Sequence, residues 1–254
     1  MDDATKNALI DYVLRLGDSC LVLGQRLGEW CGHAPILEED IALTNTALDL
    51  IGQANALLGY VGELEGKGRD ADALAFLRDG YDFRNLLLAE QPNGDFAVTL
   101  ARQFLFDAWH VATLEALSGG ADRGLADIAA KGLKEARYHL RYSSEWIIRL
   151  GDGTEQSRAR SQKALEDLWR FSGELFETDA VHATLQAAGI APDQALIHSA
   201  WNATIANTLH EATLQRPHDG WMQLGGLNGR HSEHLGHLLA ELQFMQRAYP
   251  GARW

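Results

Sequence analysis

The sequence predicts an all-α protein made of long helices packed as an up-and-down bundle. Over most of the 254 residues, apolar side chains recur every three or four positions, which is the spacing of one helix face. The alternation of apolar and polar residues that is typical of strands is nearly absent, and there are only five prolines. The breaks between the helical blocks are too short for an independent domain, so we expect a single helical domain over residues 1–254.

Glycine, aspartate and proline clusters mark where the expected helices begin and end. The second helix should follow Pro35 and end at the glycines of 66–68, and the turn at 91–94 should precede the next long helix. Gly119 and Gly120 separate that helix from its successor, and the loop 215–229, with four glycines, precedes the last helix. In chain order we expect helices at about 5–27, 37–64, 70–77, 81–90, 93–117, 122–150, 154–176, 179–188, 192–214 and 230–248.

Composition narrows the classes of function. With 46% hydrophobic residues, a chain of this length can bury a large core without disulfides or a structural metal. The formal net charge of −13 would repel nucleic acid and anionic membranes, so we expect neither as a partner. The acidic, polar start does not resemble a signal peptide, and no apolar run reaches the roughly 18 residues of a membrane span. We therefore expect a cytoplasmic protein in which Cys20 and Cys31 are reduced thiols.

The stretch KEARYHLRYSSEW, residues 134–146, carries the most informative pattern. At 100° per residue, His139 falls inside the apolar stripe of the expected helix, Ala136 lies near the centre of that stripe, and Glu135 lies just beyond its edge. The opposite face is charged and should meet solvent or a partner. The stripe consists of Leu125, Ile128, Ala129, Leu133, Ala136, Leu140, Ser143, Trp146, Ile147 and Leu150.

This pattern resembles half of a helical-bundle metal site but lacks its ligand spacing. Such sites use Glu-x-x-His pairs pointing inward, and the chain contains no Glu-x-x-His. Asp-x-x-His occurs at Asp107 and His110, on a helix that is apolar nearly all round, and again at Asp179 and His182. Because a buried carboxylate needs a partner, we expect Asp107 to contact His139 or water as a structural feature. A retained metal site is the alternative.

Two further clusters have both a functional and a plain interpretation. His231, His234 and His237 are spaced by three residues, so two of them could bind a metal, although cap, surface or interface roles suit the start of a helix better. The basic residues of 158–170 are typical of a solvated helix face, with contact to an acidic partner or a phosphate as the alternative. They are Arg158, Arg160, Lys163 and Arg170.

Several long blocks of the chain resemble a known bacterial family. They are LRLGDSCLVLGQRLGEWCGHAP (14–35), ALDLIGQA (47–54), LLLAEQPNGDFAVTLARQFLFDAWH (86–110), KEARYHLRYSSEW (134–146), LWRFSGELF (168–176) and HSEHLGHLLAELQ (231–243). The family is the structural subunit of phenylacetyl-CoA epoxidase, the multicomponent ring-1,2-monooxygenase of aerobic phenylacetate breakdown. The resemblance extends over essentially the whole length.

The resemblance implies a ferritin-like long-helix bundle that holds no cofactor itself. It also implies a sister subunit of the same fold that carries a di-iron centre, binds phenylacetyl-CoA and activates oxygen. Electrons would reach that sister from NADPH through a flavin and iron–sulfur reductase, and a small accessory subunit would join the complex.

Matched to the sister's ligand pattern, an aspartate ligand falls at Asp107 and a histidine at His139. The glutamate three residues before that histidine falls at Ala136. The remaining positions fall near Cys20 and at 49–53, where no histidine stands. The resemblance therefore implies two vestigial ligand positions, one lost position, and no catalytic or metal-binding residue in this chain.

The leading interpretation is a non-catalytic subunit that pairs with and stabilises the di-iron sister. One alternative is an autonomous di-iron or mononuclear metalloenzyme using Asp107, His139 and Glu135, or the three histidines of 231–237. Another is a homodimeric helical protein that binds an acyl thioester. Long helices with few charges on some faces suggest that more than one face is covered, for which a partner protein is one explanation.

Overall fold

The computed structural model of the protein describes residues 1–252, and that part of the chain is helical without a strand. It contains ten α-helices and three short 3-10 turns, at Gly80–Asp82, Ser172–Phe176 and Gly226–Asn228. The α-helices are α1 (Asp3–Gly28), α2 (Leu37–Glu65), α3 (Ala71–Phe76), α4 (Phe96–Leu117), α5 (Arg123–Gly151), α6 (Glu155–Trp169), α7 (Ala180–Ala187), α8 (Gln194–Glu211), α9 (Glu233–Leu242) and α10 (Phe244–Ala248). The prediction of an all-α fold with long helices is confirmed.

The helices fall into two compact units. The first comprises Met1–Gln91 and the residues from Gly225 onward, and the second comprises Pro92–Leu224. The single domain expected over 1–254 stays a prediction, and residues 253–254 of that range lie outside the described residues. Within residues 1–252, no helix combines the length and apolar character needed to cross a membrane.

The first unit is built on the pairing of α1 with α2, the two long helices of its amino-terminal part. The side chain of Asp2 caps α1 by accepting a hydrogen bond from the N–H of Thr5 at 2.7 Å. Gly66, with φ of 67°, ends α2 in the left-handed conformation that glycine adopts without strain. Helix α2 also packs against α3, and α9 packs against α1 and α10.

The second unit is centred on α4, which is buried without interruption from Thr99 to His110. Helices α5, α6 and α8 all pack against it. A helix that is apolar nearly all round, as the sequence indicated for this one, is expected to be buried, and that expectation is confirmed. The indole N–H of Trp201 on α8 donates to the carbonyl of Leu105 at 3.0 Å, so this contact includes a directional bond as well as apolar packing.

The prediction of a helix over 81–90 is wrong. After the 3-10 turn at Gly80–Asp82 the chain continues to Gln91 without an α-helix. The physical reason is that buried polar side chains of α1 accept hydrogen bonds from the backbone N–H groups of this segment. The N–H of Arg84 donates to Oδ2 of Asp18 at 2.8 Å. These long-range bonds replace the local bonds that a helix would make and override the helical sequence pattern.

Two other predicted helices are interrupted. The helix expected over 154–176 ends at Trp169 and is followed by the 3-10 turn Ser172–Phe176. The helix expected over 230–248 begins only at Glu233 and breaks at Gln243, between α9 and α10. The side-chain amide of Gln243 donates to the carbonyls of Ala75 and Arg78, both at 3.0 Å, so the break coincides with a tertiary anchor.

Candidate functional site

The candidate site lies in the second unit, where α4 faces α5. Asp107 on α4 and His139 on α5 are both completely buried. Leu125, Ala129, Leu133, Ser143 and Ile147 of the predicted stripe are also buried on α5, whereas Glu135 is half-buried at the edge. The other members of the stripe, Ile128, Leu140, Trp146 and Leu150, are half-buried. The angular analysis is therefore confirmed for the centre of the stripe, and its margins are partly exposed.

Asp107 is held by two side-chain hydrogen bonds. The amide of Gln103, one turn earlier on α4, donates to Oδ1 at 2.7 Å, and the hydroxyl of Ser143 on α5 donates to Oδ2 at 2.8 Å. Both carboxylate oxygens therefore have a neutral donor from the protein. This arrangement meets the requirement that a buried polar group be hydrogen-bonded.

Burial raises the pKa of Asp107 to about 6, while the nearby His139 and the hydrogen bonds from Ser143 and Gln103 act in the opposite direction. His139 thus lies close enough to influence the pKa of Asp107, in agreement with the expectation that the two residues are neighbours. The hydrogen bonds to the Asp107 carboxylate come from Gln103 and Ser143, which the sequence interpretation did not assign as its partners.

His110, the histidine of the Asp107 Asp-x-x-His motif, is 1% exposed. Its ring lies 5.0 Å from that of Phe106 and stacks on Trp109 at 6.1 Å, measured between ring centroids. Burial lowers its pKa to about 3, with a smaller contribution from His139. His110 is therefore a neutral histidine inside an aromatic cluster.

Side chains on α4 and α5 do not fit a di-iron centre. Ala136, completely buried, offers only a methyl group at the position where a third ligand would point inward. Both oxygens of Asp107 are already bonded to neutral donors, and two ferrous ions need several carboxylates to balance their charge. Within residues 1–252 no three His, Cys, Asp or Glu side chains are placed together to hold a metal ion.

Sequence reasoning did not identify Gln103 and Ser143 as partners of Asp107. A signal for each was present, because Gln103 precedes Asp107 by one helical turn and Ser143 lies in the inward stripe of α5. A serine in an otherwise apolar stripe needs an acceptor when it is buried, and Asp107 is that acceptor here.

The three histidines of 231–237 do not share a helix face. His231 precedes α9, and its Nδ1 and Nε2 atoms lie 2.9 Å from Glu90 Oε2 and 3.0 Å from the carbonyl oxygen of Phe83. His237 is exposed and His234 is half-buried. The expected helix start at 230 was wrong, so the i, i+3, i+6 geometry does not apply to His231.

The remaining motifs have ordinary structural partners. Asp179 caps α7 by accepting from the N–H of His182 at 3.0 Å. In the basic stretch, Arg158 donates to the carbonyl of Gly151 at 2.8 Å and Lys163 pairs with Asp167 at 2.9 Å. These contacts are those of helix caps and of a solvated helix face. Within the described residues Cys20, which is buried, and Cys31, which is exposed, are not joined by a disulfide.

Comparison with solved structures shows the class of fold. A Synechococcus protein described as having aldehyde deformylating oxidase activity superimposes with a TM-score of 0.56, covering 94% of this chain and 98% of its own, at 16% identity. At that identity the likeness shows the fold alone. The protein is an all-α, ferritin-like long-helix bundle. Asp107, on α4, is the carboxylate that is buried where α4 packs against α5.

Sequence comparison then shows the family. The family model described as phenylacetic acid catabolic protein matches residues 1–254, and this chain belongs to that family. A relative from Escherichia coli strain K12, named as one of the subunits of 1,2-phenylacetyl-CoA epoxidase, is 54% identical over 248 residues. That alignment covers 98% of this chain and 100% of the relative.

Proposed function

We propose that this chain is the structural, non-catalytic subunit of a phenylacetyl-CoA epoxidase. It pairs in the cytoplasm with the di-iron subunit, which epoxidises the aromatic ring of phenylacetyl-CoA during aerobic phenylacetate catabolism. A small accessory subunit and an NADPH-dependent reductase complete the assembly. The identity of 54% with a relative named as a subunit of that epoxidase supports the assignment to the complex.

The observation that carries the non-catalytic role is the chemistry around Asp107. A di-iron oxygenase needs carboxylates free to ligate and to change coordination, whereas both oxygens of Asp107 accept hydrogen bonds from Gln103 and Ser143. Ala136 stands where a further ligand would point. This chain therefore supplies a folded surface to its partner, and the proposal assigns iron and oxygen activation to the partner alone.

Co-expression with the catalytic sister tests the pairing. The two chains should purify as a stable complex, and the sister expressed alone should be less soluble and less active with phenylacetyl-CoA, NADPH, oxygen and the reductase. The proposal fails if no complex forms and the sister is equally active without this chain.

Iron analysis of the purified chain tests the non-catalytic role separately. The chain without its sister should contain far less than one iron per molecule after reconstitution with ferrous salt. Two irons per chain, lost in the Asp107→Ala/His139→Ala double variant, would instead establish an autonomous metalloenzyme. A His237→Ala variant is the matched control, because His237 is an exposed histidine outside α4 and α5.

A further inference from the structure

Helix α2 is apolar on two sides. One side is buried in the first unit and includes Leu43, Leu50, Leu57 and Val61. The other side is exposed, with Leu37, Ile41, Leu48 and Ile51 at 71%, 52%, 61% and 40% of their full accessible surface. A helix with apolar residues on two sides is typical of an element that is covered on both.

The exposed side of α2 has the spacing of a coiled-coil seam. Its positions are separated by steps of four and three residues in alternation, which is the heptad pattern of helices that pack along their length. From the first position to the last, this seam spans about 27 Å of helix. The seam consists of Leu37, Ile41, Thr44, Leu48, Ile51 and Asn55, of which Thr44 is half-buried and the other five are exposed.

Two glycines near the seam also indicate that another helix packs against this side of α2. Gly52 and Gly59 lie within α2, where glycine is less favourable than alanine. Apart from the adjoining residues and the helix's own backbone, a Cβ atom added at either position meets no atom of residues 1–252 within 4 Å, and neither residue has a positive φ. Packing and backbone conformation in the chain therefore do not require glycine, but close approach by another helix would.

The charges on α2 restrict what can cover it. The helix has six carboxylates and no Lys or Arg. Glu39 is buried and Glu65 is paired with Arg69, so the acidic residues at the surface of α2 are Glu38, Asp40, Asp49 and Glu63. A self-complementary contact between the α2 helices of two copies would bring two such acidic helices together without a cation from either helix, in a chain whose net charge is already −13. A helix with an apolar seam flanked by Lys and Arg would match both the shape and the charge.

We infer that the exposed seam of α2 is the docking surface for a helix of the catalytic sister subunit, one with an apolar stripe and basic flanks. This inference rests on the proposed pairing and names the face that carries it. Ile41, Leu48 and Ile51 supply the apolar contact, Gly52 and Gly59 permit close approach, and Asn55, the exposed amide of the seam, fixes the register.

The test measures affinity between full-length subunits. In the Ile41→Glu/Leu48→Glu variant, the dissociation constant for the sister should rise at least about 30-fold, because two central apolar contacts become carboxylates. The matched control is Leu196→Glu on α8, which is 69% exposed and outside the seam, and which should bind like the wild type. Thermal unfolding of each free chain establishes that the variants are folded.

A second pair of variants tests the charge argument. Glu38→Lys/Glu63→Lys reverses two exposed acidic residues of α2 and should slow association with the sister about 10-fold at low ionic strength, with the difference shrinking at high salt. The control is Glu155→Lys/Glu166→Lys on α6, which makes the same change of net charge on another helix. Equal slowing by both pairs would show that net charge alone, and not the α2 face, steers binding.

The outcomes separate the two proposals. If the wild-type chain binds the sister and the Ile41→Glu/Leu48→Glu variant binds equally well, the docking surface is wrong while the proposed function stands. If those substitutions abolish self-association in sedimentation analysis and leave sister binding unchanged, the seam serves a second copy instead. If the wild-type chain never binds the sister, the proposed function itself fails.

Discussion

Asp107 shows how a helical bundle accommodates a buried carboxylate with hydrogen bonds from neutral donors. Its two hydrogen bonds come from an amide and a hydroxyl, both neutral, so they satisfy its oxygens without neutralising its charge. Burial therefore dominates and raises its pKa to about 6. At neutral pH this carboxylate is still mostly ionised, but burial makes its ionised form less favourable than it would be in water.

The Asp107→Asn variant should gain stability relative to the wild type as the pH rises from 4 to 7. Because the pKa of Asp107 is about 6 in the folded chain and 3.8 as its ordinary value, its stabilising contribution is complete below about 3.8 and is lost as the pH rises through about 6. Asparagine removes that loss, so the difference in unfolding free energy should grow by on the order of 3 kcal/mol. Urea unfolding at pH 4, 5, 6 and 7 measures it.

Titration of His110 does not affect the difference in unfolding free energy between Asp107→Asn and the wild type. Its lowered pKa gives a contribution that is present above its ordinary value of 6.5 and lost as the pH falls, and the wild type and the variant share that contribution. The exposed Gln156→Ala substitution, which neither removes nor adds a titrating group, is the control. A difference between Asp107→Asn and the wild type that is the same at all four pH values would contradict the raised pKa.

At the scale of helices, the segment 83–91 is fixed to α1 by buried polar groups. Arg78 forms a two-pronged ion pair with Asp18, and one of its bonds, from Nη1 to Oδ2, is 3.0 Å long. The guanidinium of Arg26 donates to the carbonyl of Glu90 at 3.2 and 3.0 Å. These contacts position a non-helical stretch that the apolar pattern alone would make helical.

Arg78→Met should destabilise the chain by about 3–5 kcal/mol, because it leaves the completely buried Asp18 without its cation. Chemical denaturation measures the loss, and hydrogen exchange should increase selectively in 83–91. Lys163→Met is the control, since it breaks an exposed pair with Asp167 one helical turn away and should change stability little. Equal destabilisation by both substitutions would show that burial of the Asp18 pair is not what stabilises this segment.

The long helices were predictable because their signal is local. Periodicity identified α1, α2, α4 and α5 to within a few residues, and it correctly placed His139 and Ala136 inside the bundle. The segment 81–90 was not predictable in this way. Its amides bond to Asp18 and Ser19, more than 60 residues earlier, and a pattern within ten residues contains no information about such partners.

The same distinction applies to the candidate site. Burial of Asp107 follows from the apolar character of α4, and absence of Glu-x-x-His can be read directly from the sequence. The choice of Gln103 and Ser143 as partners depends on the rotation of α4 against α5, which sequence spacing does not give. For His231 the sequence spacing was misleading. The regular spacing of His231, His234 and His237 suggested that they share one helix face, but α9 starts only at Glu233, so His231 is not on the helix.

At the scale of the whole chain, the net charge of −13 should make stability depend on salt. Repulsion between exposed carboxylates opposes the compact state, so moving from about 0.01 M to 0.15 M sodium chloride should raise the melting temperature at pH 7.5. Calorimetry at a series of salt concentrations measures the shift. Near pH 5.1, the isoelectric point, the same salt series should have much less effect. A melting temperature that falls with salt at pH 7.5 would mean that attractive pairs outweigh the excess charge.

The order of the two units along the chain has a consequence for biosynthesis. The second unit is one continuous stretch, Pro92–Leu224, whereas the first is completed by residues from Gly225 onward. Glu90 accepts a hydrogen bond from the N–H of Ser232 and contacts His231, so its partners leave the ribosome about 140 residues after it does. All of Pro92–Leu224 is therefore synthesised before the residues that bind Glu90, His231 and Ser232, are available. The first unit is thus completed only after the residues from Gly225 onward have been synthesised.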